Sequence, residues 1–128
     1  MQYEFLIKKA KPFLSLPSGH SKHFSFLVKR RNIVGFGYNK SFVTHPLARR
    51  YGYRFSAVHS ELDCILSFNG PPRELSRYTM INIRFMADGS LGLSKPCPIC
   101  QSLLKSFGIT DVLYSTKDGF RELQDATL

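Results

Sequence analysis

The sequence predicts an α/β fold, on three observations. Segments with two-residue alternation and segments with helical spacing follow one another along the chain, the last two strand-like runs lie too close for a crossover, and the apolar content suits one core. Of 128 residues, 43% are hydrophobic, with 11 Phe, 6 Tyr and no Trp. That is too apolar for a disordered chain and too short for two ordinary domains. A single domain over residues 1–128 is expected. No run approaches the roughly 20 apolar residues of a membrane span, and the start Met1-Gln2-Tyr3-Glu4-Phe5 lacks the order of a secretory signal. A soluble, cytoplasmic protein with no membrane partner is expected.

Residues 3–11 predict a short helix with Leu6, Ile7 and Ala10 on one face, ended or kinked at Pro12. After Pro17-Ser18-Gly19, the runs His23 to Val28 and Ile33 to Tyr38 flank a basic turn, Lys29-Arg30-Arg31-Asn32, and predict a β-hairpin. Gly35 and Gly37 share one face of its second strand, so something is expected to pack closely there. Residues 40–57 have neither period, and a loop of that length is expected to be functional. Helical spacing returns at Val58, Leu62, Ile65 and Leu66 and must stop at Asn69-Gly70-Pro71-Pro72. Tyr78 to Met86 alternates as a strand, with Asp88-Gly89 as its turn. Cys97 to Phe107 predicts a second helix closed by Gly108. Ile109 to Tyr114 and Phe120 to Leu123 predict two last strands joined at Asp118-Gly119. A parallel crossover needs a dozen or more residues, so this final pair is expected to be antiparallel.

The net charge is +9, and its distribution is uneven. Residues 1–60 hold eleven basic groups against Glu4 alone, whereas residues 61–128 hold seven basic and eight acidic groups. The excess suggests a polyanion, nucleic acid or a nucleotide phosphate; the plainer reading is a solvated basic face.

Cysteine usage points to metal. Cys97 and Cys100 form a C-x-x-C run in a chain with an odd three Cys and no secretory features. His59-Ser60-Glu61 opens one predicted helix and Pro96-Cys97-Pro98-Ile99-Cys100 opens the other. One His and two Cys are donors zinc prefers, and a site just ahead of a helix start can be reached by both His59 and Glu61. The helix dipole there favours thiolates. Three ligands leave a position for water, the mark of a catalytic zinc; a structural zinc is the competing reading. Cys64, about 140° around the helix from His59, should face the core, and His45 is a candidate fourth ligand.

H-x-E followed by P-C-x-x-C resembles the zinc-dependent cytidine and deoxycytidylate deaminase superfamily. Gly35-Phe36-Gly37-Tyr38-Asn39 is similar to its second strand, and His45-Pro46, Ser94 to Cys100, Gly108-Ile109 and Tyr114-Ser115-Thr116 resemble small phage and bacterial members. The likeness covers roughly residues 20–120, and Ser60 stands where Ala is usual. It implies a three-layer α/β/α fold around a five-stranded mixed sheet. It also implies one catalytic Zn²⁺ on His59, Cys97 and Cys100, with Glu61 as proton shuttle. Asn39 would bind base or sugar, the backbone near Ser60 and Lys95 would meet the exocyclic amine, and Asn39 could instead simply end its strand. Relatives of this kind often form homo-oligomers.

The implied reaction is hydrolytic conversion of cytosine to uracil. Phe42, His45, Arg49 and Arg50, in a stretch mixing basic and aromatic residues, tilt the expected substrate modestly towards single-stranded DNA or RNA. The alternatives are a free cytidine nucleoside or nucleotide, adenosine in RNA, and a non-catalytic zinc module that only binds nucleic acid.

Overall fold

Alternate residues of each strand decide what lies on each face of the sheet. The computed structural model describes residues 3–14, 22–41 and 57–123. In order they form α1 (Glu4–Ala10), β1 (Lys22–Lys29), β2 (Asn32–Tyr38), β3 (Lys40–Ser41), β4 (Ala57–Val58) and α2 (Ser60–Ser67). β5 (Thr79–Phe85), β6 (Leu91–Gly92), α3 (Pro98–Ser106), β7 (Val112–Thr116) and β8 (Gly119–Glu122) follow. Short 3₁₀ helices lie at Lys11–Phe13 and Pro72–Arg77.

The main sheet runs β2-β1-β5-β7-β8, with β6 paired to the end of β5. Among the described residues only β5 and β7 pair in parallel, and β8 returns antiparallel to β7, as the short Thr116 to Gly119 connection requires. The five expected strands are thus present in a mixed sheet, and β6 is a sixth that the sequence did not reveal. Helix α1 covers one face, where Leu6 and Ala10 pack on Phe24, Phe26, Val28, Ile81, Ile83 and Phe85. Helices α2 and α3 cover the other, where Leu62, Cys64, Ile65, Leu103 and Leu104 pack on Leu27 and Met80. The result is the expected three-layer α/β/α arrangement. Among the described residues no helix is long and apolar enough to cross a membrane.

The close approach expected at Gly35 and Gly37 is made by α2. A Cβ on Gly37 would lie 2.3 Å from the Cys64 backbone nitrogen and 2.6 Å from the Ser60 carbonyl oxygen, so only glycine lets the helix backbone rest on the strand. The outer edge of β2 is also bonded to α2. The Phe36 N–H donates to Ser67 Oγ at 3.0 Å and the Tyr38 N–H to Asp63 Oδ2 at 3.1 Å.

Three boundaries differ from expectation for local reasons. The stretch 40–57 is not wholly irregular, because Lys40 pairs with Val58 and Ser41 with Ala57 in a short antiparallel ladder. That ladder also takes Val58 out of the helix, which begins at Ser60. Ile109 belongs to the end of α3 rather than to a strand. Gly108 adopts a φ of 76°, its N–H donates to Lys105 O, and the Ile109 N–H donates to Leu104 O, a Schellman motif with Ile109 and Leu104 buried together.

Candidate active site

The two sequence motifs sit at two helix starts with the same backbone geometry. His59 is the N-cap of α2 (φ −71°, ψ 154°) and Cys97 the N-cap of α3 (φ −66°, ψ 164°). Their carbonyls accept the first helical bonds, from Asp63 N at 3.0 Å and Gln101 N at 2.8 Å. Cys97 Sγ caps its own helix by accepting the Cys100 N–H at 3.4 Å. Cys100 Sγ lies 3.4 Å from His59 Nδ1, and the donor atoms of His59, Cys97 and Cys100 all fall within 4.8 Å of one another.

This donor set fits zinc. Metal–sulfur bonds of about 2.3 Å and metal–nitrogen bonds of about 2.0–2.1 Å, set tetrahedrally, put donors roughly 3.6–3.8 Å apart, close to the spacing here. The hydrogen bond from the Cys100 thiol, with His59 and the Cys100 N–H assisting and burial opposing, pulls the Cys97 thiol down to about 4. The hydrogen bond with Cys97 raises His59 above its usual value. A thiolate beside an imidazolium is what a divalent cation replaces, releasing the proton. Cys64 is fully buried in the core, as expected, and is not one of the three grouped donors.

Glu61 is 6% exposed, and burial pushes its carboxyl above the usual range. It ends in a buried polar network that the sequence did not single out. Glu61 Oε2 accepts the Asn82 amide at 3.1 Å and Oε1 lies 3.1 Å from the Ser60 hydroxyl. Ser25 Oγ donates to Asn82 Oδ1 at 2.7 Å and lies 2.8 Å from Ser60 Oγ. Beneath them, Ser94 Oγ donates to the Asn82 carbonyl at 2.8 Å and lies 2.9 Å from Ser115 Oγ. Among the described residues no buried side-chain nitrogen or oxygen lacks a partner. The available signal was parity: Ser25 lies between Phe24 and Phe26, and Asn82 between Ile81 and Ile83, on the face left to α2 and α3.

The residues expected to contact substrate have different surroundings. The Ser60 side chain is buried in the network, while Lys95 is exposed on the segment leading into α3. Asn39 Oδ1 accepts the His23 N–H at 3.0 Å and the Asn39 N–H donates to His23 O at 3.1 Å, so its carbonyl end closes the hairpin. Phe42, His45, Arg49 and Arg50 lie outside the described residues. The basic excess of residues 1–60 does not all lie at the site. Lys8, Lys9 and Lys11 belong to α1 and the turn after it, across the sheet from Glu61, and Lys29, Arg30 and Arg31 turn at the far end of β1 from Ser25. Six of the eleven cations in residues 1–60 are therefore away from the site.

No family model matches this sequence, and no curated protein sequence matches it significantly. Solved structures do resemble the fold. The dCMP deaminase of the cyanophage S-TIM5, solved in complex with dCMP and dUMP, superposes with a TM-score of 0.57 at 17% identity, over 88% of this chain and 79% of that one. The apo form of the same enzyme gives the same TM-score over 81% of its chain. The cytidine deaminase of Burkholderia pseudomallei superposes with a TM-score of 0.60 at 18% identity, over 97% of this chain and 93% of that one. The mixed sheet, its helical layers and these likenesses together show that the chain has the cytidine deaminase-like fold.

Proposed function

We propose that this protein is a zinc-dependent hydrolytic deaminase that converts cytosine to uracil. The observation that carries the reading is the meeting of His59, Cys97 and Cys100 at the starts of two helices with the buried carboxyl of Glu61 beside them. Structural zinc needs no such carboxyl. Held by these three donors, zinc supplies Lewis-acid activation of water at neutral pH. Glu61 holds and moves the protons: one water proton ends on the ring nitrogen N3, the other leaves with the C4 amine as ammonia, and the water oxygen becomes the C4 carbonyl. The chain's other contribution is to bury and orient Glu61 through Ser60 and Asn82.

A preference for single-stranded polynucleotide is supported by the basic and aromatic residues between positions 42 and 55. A free cytidine nucleotide is favoured by a different observation, the six cations that lie away from the site. Ammonia or uracil formation on cytidine, dCMP, single-stranded DNA and single-stranded RNA, measured beside Glu61→Ala, separates these readings. Turnover of at least one substrate by wild type and its loss in Glu61→Ala is the expected result. Equal inactivity of both proteins on the whole panel, with oligonucleotide binding intact, leaves only a zinc module that binds nucleic acid.

A further inference from the structure

Glu61 is held from two sides by donors of different kinds. An amide NH₂ can only donate, whereas a hydroxyl has one proton and can also accept. Oε2 faces the Asn82 amide and Oε1 faces the Ser60 hydroxyl, each at 3.1 Å. The Asn82 amide is not free to turn over. Its Nδ2 points at two acceptors, Glu61 Oε2 and the Ser94 carbonyl at 3.4 Å, and its Oδ1 takes the Ser25 proton at 2.7 Å. A flipped amide would set its oxygen against the Ser94 carbonyl oxygen. Because Ser25 spends its only proton on Asn82, the 2.8 Å Ser25–Ser60 contact must use the Ser60 proton. The Ser60 hydroxyl thus chooses between Ser25 Oγ and Glu61 Oε1. Ser25 and Asn82 are direct cross-strand partners of β1 and β5, so this clamp is built into the sheet.

We propose that Asn82, locked by Ser25, is a positioning residue whose amide donor holds Glu61 Oε2 and so fixes the orientation of the Glu61 carboxyl for its work on the substrate. The inference rests on the deaminase reading, and it concerns residues outside both sequence motifs. It turns on the donor character of the amide and not on its bulk. Asn82→Asp, which keeps the shape and replaces the donor by an acceptor, should therefore be at least as damaging as Asn82→Ala. A role in filling space alone predicts the reverse.

The test compares zinc-loaded wild type, Asn82→Asp, Asn82→Ala and Ser25→Ala. The expected result is a kcat lower by roughly 10- to 100-fold in both Asn82 variants, with KM and zinc stoichiometry little changed. A smaller fall in the same direction is expected for Ser25→Ala. Wild-type kcat in Asn82→Asp, or a milder effect than in Asn82→Ala, overturns the proposal. If the Asn82 variants do not fold, Ser25→Ala decides: unchanged kcat overturns it. A second readout is independent of turnover. In the zinc-loaded wild type the Asn82 side-chain NH₂ signals should be protected from solvent exchange by NMR and lose that protection in Glu61→Ala; fast exchange in the wild type overturns the contact. Should the wild type deaminate nothing, the deaminase reading fails while the exchange measurement still judges the clamp.

Discussion

The two faces of the sheet are written by the same strands in opposite chemistry. On β1, β2 and β5 the residues Phe24, Phe26, Phe36, Ile81 and Ile83 face α1, while their neighbours Ser25, Gly37 and Asn82 face α2. One parity is large and apolar, with the Phe36 ring 5.9 Å from that of Phe24 and 5.1 Å from that of Phe26. The other is small or polar at Ser25, Gly37 and Asn82 and apolar again at Leu27 and Met80, under the rest of α2 and α3. The α1 face excludes water by bulk; the α2 face uses small side chains to let a helix backbone approach and hydrogen bonds to hold Glu61. Stability and chemistry are thereby assigned to alternate residues of single strands.

Substitutions can break this division or sharpen it. The largest effect is expected at the donor set, where Cys97→Ser should lower bound zinc below one per chain and cut deamination by at least about 100-fold, measured by metal analysis and ammonia release. On the opposite face, Phe26→Ala should cost roughly 3–5 kcal/mol in denaturant unfolding yet leave kcat unchanged in the folded protein. A tenfold fall in kcat there would show that the faces are not separable. Gly37→Ala should do both kinds of damage, because its Cβ collides with backbone atoms of α2; a loss of up to about 3 kcal/mol with a lower kcat is expected. The smallest effect is at His23, whose imidazole is lowered to about 4 by burial first, then by Arg84 and His59. Its unfolded form binds a proton below about 6.5 while the folded form does not, so stability present above that pH is lost as pH falls towards 4. The loss is about 2 kcal/mol at pH 5, and His23→Gln should remove it from the pH dependence of unfolding.

Local chemistry made much of this legible in the sequence. The H-x-E and P-C-x-x-C runs, the paired glycines and the short final connection each act within a few residues, and each is where expected. What was hidden depends on register between distant strands. Asn82 in an alternating run reads as a solvent-facing residue until the Ser25 to Asn82 pairing and the seat of α2 are known. The two-residue β6 carries no period of its own, and its ladder comes entirely from Arg84 and Phe85. The placement of the charge was hidden too, because a count along the chain does not record which side of a sheet each residue reaches.

Helix α2 has a further consequence through Asp63 and Ser67, which bond the backbone N–H groups of Phe36 and Tyr38 on the outer edge of β2. An open strand edge is a template for adding another chain. The helix that carries Glu61 is therefore also the guard of that edge, and its detachment would switch off the site and bare a sticky strand in one step. Inactivation and self-association of this protein should share a single time course on heating.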